Sequence, residues 1–446
     1  MNTPNTPAKS VNAWIYLDED EPTGTGYTSP NSSYQSMVRN NGYTWTDMLF
    51  ICFFDVVSDG SGYYTMQVGN IDQAHPDNST TEQYLQYTIR DARAQNSGIQ
   101  LLATLNYNTD TLSQIFSTDS SQWSTQAQHF ASNVLQYLSA NDLNGLDVDW
   151  EGAFSTAITT EQFAILFQAI RGAFNGAGSY MYLTLSPASV GNLDVNTMNT
   201  CFDLVNLQLY SGFTSVDEFI SIGINPSLMA YGAKFESNQQ TADAAYAQAQ
   251  QGFSYNGEQY QYNNITQWRL NSDNYVYEQS QQSILYMLAY GVASASFDDG
   301  ALVEQAGSST ITSLTINSGE VLDAIQTTNT GSFGDASSQL GLLQHGGNGG
   351  NSSPVTIDVQ DPITTISGYT GNWYGRNVVA QLRLITQSGK VLGPYGNMGG
   401  VSNQIEFTYS APAGQSIVAF NGTVIQVPTA SGAPTLVVSV LEPSFA

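Results

Sequence analysis

The chain has 446 residues, and its 37 acidic side chains outnumber 10 basic ones to give a formal net charge of −27. Binding to nucleic acid or to an anionic membrane needs clustered cations, which ten scattered Lys and Arg residues do not supply. No apolar run approaches the roughly 20 residues that span a bilayer. The length predicts two or three domains.

The first two thirds of the chain alternates apolar runs with helical patterns. We interpret eight runs as strands: 11–17, 48–56, 99–107, 144–151, 181–187, 204–210, 227–233 and 291–297. Helical periodicity lies between most of them, at 80–96, 121–140, 160–175, 215–222, 238–252 and 276–290. Eight parallel βα units fit a closed (β/α)8 TIM barrel, with an open doubly wound sheet as the alternative. We place this α/β barrel at 11–300, after an N-terminal tail at 1–10.

The character of the sequence changes after the eighth run. From Ser309 the chain is rich in Ser, Thr, Gly, Val and Ile, its apolar runs are short and alternating, and turn signals are frequent. This pattern predicts an all-β domain over 309–446, joined to the barrel by a linker at 301–308.

The fourth run, NGLDVDWE, carries three acidic residues at alternate positions. Because side chains alternate across a strand, Asp147, Asp149 and Glu151 share one face, which we expect to point into the barrel. Carboxylates this close repel one another, so some must hold protons at neutral pH, as a general acid does. A strand with a polar solvent face and a Ca²⁺ or Mg²⁺ site are the alternatives. We expect no metal and no cofactor.

The same run resembles the DGxDxDxE signature of family-18 glycoside hydrolases, although Asn144 replaces the first Asp. The strand NLQLY at 206–210 is similar to the family's (M/Q)xY strand, and Phe50 to Asp55 resembles its AF-type strand. This resemblance spans residues 11–300. It implies hydrolysis at N-acetylglucosamine (GlcNAc) in which the substrate's own acetamido group is the nucleophile.

The resemblance also assigns roles to residues. Glu151 would be the general acid and then the general base, Asp149 would orient the acetamido group, and Asp147 would share a proton with Asp149. Tyr210 would bond the acetamido oxygen with support from Gln208. We expect substrate contacts from Gln208, Trp150, Phe297 and Asn106. The implied partner is a GlcNAc-containing polysaccharide or glycan.

Two strands depart from the family pattern. The third ends in Thr104-Leu105-Asn106 instead of SxGG. At the eighth, Ala295 stands where the family presents a Trp beneath the −1 sugar, and Phe297 is the nearest ring. A chitinase, favoured by Trp150, an endo-β-N-acetylglucosaminidase acting on N-glycans, and a non-hydrolysing lectin or toxin-accessory protein therefore all stay open.

Five tyrosines and Trp268 lie within residues 253–277. They are consistent with sugar stacking beside the cleft, but we favour a β-hairpin with its own aromatic cluster around GEQYQYNN.

The C-terminal region resembles a jacalin-related lectin, a β-prism, through ITSLTINSGEVLDAIQ, HGGNGG and VVAQLRLITQSGKVLGPYG. The resemblance implies sugar binding by backbone donors of Gly346, Gly347, Gly349 and Gly350. Leu436 stands where the family has an Asp that accepts sugar hydroxyls, so we expect weak or lost sugar binding there. A second glycan or a protein is the partner expected for this domain.

The N-terminal Met1–Ser10 segment lacks the apolar core of a secretory signal. The substrate class implies an extracellular location, which the sequence leaves undetermined.

Overall fold

A computed structural model of the chain describes residues 5–107, 111–152, 154–212, 214–307, 310–330, 339–429 and 432–446. Residues 1–4 of the predicted tail, and Ser308 and Ser309 at the predicted boundary, lie outside these ranges. The chain folds into two compact units. The first comprises Met1–Thr28, Asn41–Gln240 and Ala247–Asp273, and the second Ser29–Asn40, Thr241–Tyr246 and Asn274–Ala446.

The first unit contains a closed barrel of eight parallel strands, as the sequence predicts. Its strands, with an antiparallel extension β3 and a hairpin β9–β10, are β1 (Ser10–Tyr16), β2 (Met48–Ser58), β3 (Tyr64–Val68), β4 (Gln100–Leu105), β5 (Gly145–Trp150), β6 (Tyr182–Pro187), β7 (Leu204–Leu207), β8 (Met229–Lys234), β9 (Phe253–Tyr255), β10 (Glu258–Tyr260) and β11 (Asn264–Trp268). The barrel closes because β1 pairs in parallel with both β2 and β11. Seven of the eight barrel strands coincide with predicted runs.

The eighth barrel strand is β11, and its prediction at 291–297 was wrong. The segment Ser294–Asp298 forms β12, which pairs antiparallel with a strand of the second unit, β22 (Ile417–Pro428). β11 lacks a continuous apolar run because Asn264 and Thr266 point into the polar interior of the barrel, where both side chains are hydrogen-bonded.

Nine α-helices occur in the described ranges. They are α1 (Ser33–Arg39), α2 (Thr81–Gln95), α3 (Trp123–Ala140), α4 (Thr160–Asn175), α5 (Val195–Cys201), α6 (Val216–Ser221), α7 (Ala242–Gln251), α8 (Tyr275–Tyr290) and α9 (Asp299–Gln305). The two helices α2 and α4 begin with capping boxes, in which Thr80 pairs with Gln83 and Thr159 with Gln162. None of the described helices combines the length and the apolarity needed to cross a membrane.

The predicted hairpin within 253–277 is present. β9 and β10 pair antiparallel around Asn256 and Gly257, whose φ angles of 49° and 81° suit a two-residue turn that matches strand twist. Phe253 stacks on Tyr260 with ring centroids 5.4 Å apart. These rings therefore pack against each other, as the hairpin interpretation predicts.

The second unit contains an all-β region of three sheets. Its strands are β12, β13 (Ile311–Ser318), β14 (Leu322–Thr330), β15 (Gln339–Gly341), β16 (His345–Gly346), β17 (Asn351–Thr356), β18 (Ile363–Trp373), β19 (Arg376–Thr386), β20 (Val391–Tyr395), β21 (Ser402–Ser410), β22 and β23 (Pro434–Phe445). The sheet orders are β12-β22-β23, β15-β14-β13-β17 with β16 beside β14, and β20-β19-β18-β21. Side chains such as Ile316, Ile366 and Phe420 fill its core. Helix α9 occupies most of the predicted linker.

Candidate active site

The acidic residues of β5 face the barrel interior at the carboxyl end of the strand. Asp147 is fully buried, Asp149 is 2 % exposed, and Glu151 is half-buried just beyond the strand. The intervening Trp150 points the opposite way. It packs against Phe163 and Phe167 of α4. The strand thus presents carboxylates inward and an aromatic ring outward, as alternation predicts.

Trp150 does not line the site, contrary to its prediction as a substrate contact. Its ring is fully buried among the helices, and Nε1 donates to Gly191 O at 2.9 Å. The physical reason is the two-residue period of the strand: neighbours of inward-facing Asp149 and Glu151 must face outward.

Asp147 is surrounded by hydroxyl donors from β6. Thr184 Oγ1 donates to Asp147 Oδ1 at 2.6 Å, and Ser186 Oγ lies 3.0 Å from both carboxylate oxygens. Burial raises the pKa of Asp147 to about 6, against the opposing effect of these donors. Asp147 can therefore change its charge near neutral pH.

Asp149 and Glu151 are held at higher pKa than usual. Burial, the charge of Glu151 and then the charge of Asp147 raise the pKa of Asp149 well above its ordinary value. Gln208 Nε2 donates to Asp149 Oδ1 at 3.0 Å and to Ser186 O at 3.1 Å. These two bonds fix the orientation of the Gln208 amide. Burial also raises the pKa of Glu151. A raised carboxyl pKa keeps a proton available for donation near neutral pH.

Tyr210 lies in a short 3₁₀ turn after β7, Leu209–Ser211. Its hydroxyl is buried and has no hydrogen-bond partner among the described residues. Burial, followed by the charges of Asp149 and Glu151, raises its pKa well above the ordinary value, so the hydroxyl stays protonated. A buried, unpaired donor is costly unless a ligand satisfies it.

Aromatic side chains of β1, β11 and the turn after β7 pack against one another. Trp268, the last residue of β11, lies with its ring centroid 5.9 Å from Tyr210, 5.4 Å from Tyr16 and 5.7 Å from Trp14. Its side chain is only partly buried. From the sequence alone, Trp268 counts among the aromatic residues of 253–277 and is not placed on a barrel strand. The alternation Asn264-x-Thr266-x-Trp268 would have identified both the strand and its terminal ring.

Phe297, which we expected beneath the sugar, is not part of the barrel. It lies on β12 in the second unit and stacks on His345 with ring centroids 3.8 Å apart. Phe297 was assigned to the site because 291–297 was predicted as the eighth barrel strand, whereas that strand is β11.

Asn106, another expected substrate contact, lies just past β4. It is half-buried, with its Nδ2 atom 3.5 Å from Asp55 Oδ1.

A charged cluster lies where β8 and β11 end. Arg269 forms ion pairs with Glu19 and Glu236, and Lys234 Nζ lies 2.8 Å from Glu236 Oε2. The guanidinium of Arg269 is 5.0 Å from the centroid of the Tyr16 ring. In the described ranges no three His, Cys, Asp or Glu side chains are grouped as metal ligands.

In the second unit, the predicted sugar-binding loop is already bonded to protein groups. Gly347 N donates to Asp323 O and to Leu436 O, both at 3.1 Å. Gly346 has φ of +112°, and a Cβ there would lie 2.0 Å from Asp323 O, so only glycine fits. Leu436 is fully buried in β23.

Asn348, between the glycines, binds residues from α7 and α8. Its Nδ2 donates to Asp243 Oδ2 at 2.6 Å and to Gln281 Oε1 at 2.9 Å. Gln281 Nε2 donates back to Asn348 Oδ1 at 3.1 Å, and Gln344 N donates to Ser280 Oγ at 2.9 Å. We define this set of contacts as the α8 clasp.

Comparison with known proteins identifies two family matches. The family described as Glycosyl hydrolases family 18 matches residues 23–306, and the Jacalin-like lectin domain matches residues 293–428. The second match begins before β12, in agreement with the pairing of that strand.

Individual proteins show similarity over part of this chain. Horcolin from Hordeum vulgare is 33 % identical over 89 residues, which cover 20 % of this chain and 59 % of horcolin, less than two thirds of its length. The artocarpin–mannotriose complex is 18 % identical with a TM-score of 0.25, covering 32 % of this chain and 87 % of that one. A mannose-binding jacalin-related lectin from Ananas comosus is 25 % identical with a TM-score of 0.23. The match covers 31 % of this chain and 85 % of that lectin chain.

Proposed function

The chain belongs to the glycosyl hydrolases of family 18, and we propose that it cleaves β-1,4 linkages after GlcNAc in chitin or chito-oligosaccharides by substrate-assisted retaining catalysis. The observation that carries the proposal is the inward-facing series Asp147, Asp149 and Glu151 beside the unpaired hydroxyl of Tyr210. The family match supports glycoside hydrolase activity and the jacalin-like match a lectin-type domain.

The first step transfers a proton from Glu151 to the glycosidic oxygen. As the bond from the anomeric carbon to that oxygen breaks, the carbonyl oxygen of the 2-acetamido group bonds to the anomeric carbon and forms a cyclic oxazolinium. Tyr210 Oη donates to the acetamido oxygen, and Asp149 accepts from the acetamido N–H. Burial raises the pKa of Glu151, which favours the protonated form that this step requires.

The second step returns the proton. Glu151, now ionised, removes a proton from water as the water oxygen bonds to the anomeric carbon. The bond between that carbon and the acetamido oxygen breaks, which opens the oxazolinium ring and restores the acetamido group. The single negative charge of the Asp147–Asp149 pair, which shares one proton, offsets the positive oxazolinium in a buried site, where electrostatic interactions are strong. No nucleophile from the protein is required, an exception to the two-carboxylate scheme of most glycosidases.

Trp268 favours chitin over N-glycans as the substrate. The endo-β-N-acetylglucosaminidase alternative was argued from the absence of a ring at the end of the eighth strand. With β11 as that strand, Trp268 supplies a partly buried ring beside Tyr210. A flat apolar ring suits the face of a GlcNAc unit.

The test is hydrolysis of N-acetylated chito-oligosaccharides by the wild type and by Glu151→Gln, followed by chromatography. We expect the wild type to cleave them and Glu151→Gln to lose about 10²- to 10⁴-fold in kcat with little change in KM, because only proton transfer is removed. Glu161→Gln, the same change at an exposed position in the first turn of α4, is the matched control and should keep full activity.

Parallel incubation with ribonuclease B separates the alternatives. Glycan release without chito-oligosaccharide cleavage would replace the chitinase proposal by the N-glycan one. Binding of GlcNAc oligomers with no turnover of either substrate would leave a binding-only, lectin-like or toxin-accessory role.

A further inference from the structure

A chain of hydrogen bonds crosses the barrel interior and ends on Asp147. Asn12 Nδ2 donates to Thr266 Oγ1 at 3.3 Å, and Thr266 Oγ1 donates to Asn206 Oδ1 at 2.8 Å. Asn206 Nδ2 then donates to Ser186 Oγ at 3.3 Å, and Ser186 Oγ donates to Asp147 at 3.0 Å. None of the five side chains is more than 1 % exposed, so water does not compete for these bonds.

Every donor in this chain points towards Asp147. Each hydroxyl accepts one bond and donates the next, and Asn206 accepts through its carbonyl oxygen and donates through its amide. The second amide hydrogen of Asn12 is directed to Ser10 Oγ, 3.0 Å away, which holds the starting amide in place. Bonds aligned in this way polarise and strengthen one another.

We propose that Asn206 and Thr266 are positioning residues that hold the Ser186 hydroxyl as a donor to Asp147, and so make Asp147 the ionised and Asp149 the protonated member of the acidic pair. The inference rests on the proposed hydrolase function and deepens it. Hydroxyl donors stabilise a carboxylate in its charged form. Thr184 and Ser186 donate to Asp147, and bonds from Thr104 and Trp14 also lower its pKa. For Asp149 the side-chain donor is the amide of Gln208.

The other titratable groups facing this pair are neutral. They are Tyr16 on β1, Cys52 on β2 and Tyr210 after β7, and Glu151 is the third carboxyl. Burial raises the pKa of Tyr16, Cys52 and Tyr210 above their ordinary values. Two cations lie nearby: Arg269 faces Tyr16 and is paired with Glu19 and Glu236, and Lys234 faces the Tyr210 ring and is paired with Glu236. The proton is therefore distributed among the carboxyls of Asp147, Asp149 and Glu151.

Thr266→Val tests the proposal, because it keeps the shape of the side chain and removes the hydroxyl. Loss of the aligned donors destabilises ionised Asp147, so its pKa rises and the acid limb of kcat/KM against pH moves upward. We expect a shift of about 0.5 to 1 pH unit. Thr266→Ser retains the hydroxyl and should keep the acid limb of the wild type.

Thr197→Val is the matched control. Thr197 is fully buried on α5, and its hydroxyl oxygen accepts from Gln168 Nε2 at 3.1 Å, outside the barrel interior. This variant should lower the melting temperature and leave the acid limb unchanged. A merely structural role for Thr266 would give the same result as Thr197→Val.

Equal acid limbs for Thr266→Val and the wild type, or an equal shift in Thr197→Val, would overturn the proposal. Should Thr266→Val fail to fold, Ser186→Ala removes the last donor of the hydrogen-bond chain and should shift the acid limb in the same direction.

If the wild type hydrolyses no substrate, the proposed function fails instead. The network is then tested by ¹³C NMR titration of the carboxyls, where an unshifted Asp147 in Thr266→Val overturns it.

Discussion

Asn348 donates its side-chain amide to Asp243 Oδ2 at 2.6 Å, so the centre of the glycine-rich loop is bonded to a carboxylate at the start of α7. Gly347 N is likewise engaged by Asp323 O and Leu436 O. Gly347 N, one of the backbone donors expected to bind sugar, is thus already bonded, and the α8 clasp holds the neighbouring Asn348 side chain. The loop resembles a lectin site in sequence, but here it bonds to helices of the same chain.

We predict that the full chain does not bind mannose or galactose through this loop. The measurement is a glycan array probed with Glu151→Gln. We expect this variant to degrade GlcNAc oligomers slowly and still bind them, so these oligomers serve as the internal positive control. Saturable binding that free methyl mannoside or methyl galactoside competes away, and that Asn348→Ala abolishes, would show the prediction to be wrong.

Trp268→Ala should lower kcat/KM on chito-oligosaccharides by about 10- to 100-fold, because the ring beside Tyr210 is proposed to support the sugar. Steady-state kinetics measures this, with Phe297→Ala as the control. Phe297 stacks on His345 in the second unit and should leave KM unchanged. A larger loss in Phe297→Ala than in Trp268→Ala would restore the sequence-based assignment.

The acidic series and the eighth barrel strand show where sequence reasoning succeeds and where it fails. The acidic series was predictable because its residues alternate along one strand, and that strand follows a clear helical pattern. The eighth strand was not predictable from apolar runs, because its inward side chains Asn264 and Thr266 bond to other polar groups inside the barrel. Locally, 291–297 looks equally strand-like, and only its pairing with β22, far along the chain, assigns it to another sheet.

The α8 clasp could not be predicted either. Glycines in HGGNGG indicate a tight loop, but the partners of Asn348 come from α7 and α8, which are distant in sequence. Leu436 was expected to weaken sugar binding through its missing carboxylate. Its backbone oxygen has an additional role, because it accepts from Gly347 N.

Trp150→Ala should destabilise the protein by about 3–5 kcal/mol, the usual cost of removing a large buried ring. Trp150 packs on Phe163 and Phe167 and bonds Gly191 O, all away from the barrel interior. Urea unfolding measures the loss. The milder Trp150→Phe should keep KM for chito-oligosaccharides, whereas a raised KM with unchanged stability would identify Trp150 as a substrate contact.

Asp147 should make the folded state less stable as pH rises. Its folded pKa is raised from 3.8 to about 6, so its contribution is fully present below about pH 4 and lost by about pH 6 to 7. The shift corresponds to about 3 kcal/mol between these limits. Urea unfolding from pH 4 to 7 should therefore show a fall in stability that Asp147→Asn reduces.

Asp119 is the control. It is exposed, and the Ser121 N–H lowers its pKa, so its ionised form stabilises the folded state and Asp119→Asn should reduce stability only above that pKa. A wild type and an Asp147→Asn variant with parallel pH dependence would mean that Asp147 is ionised in the folded barrel throughout this range.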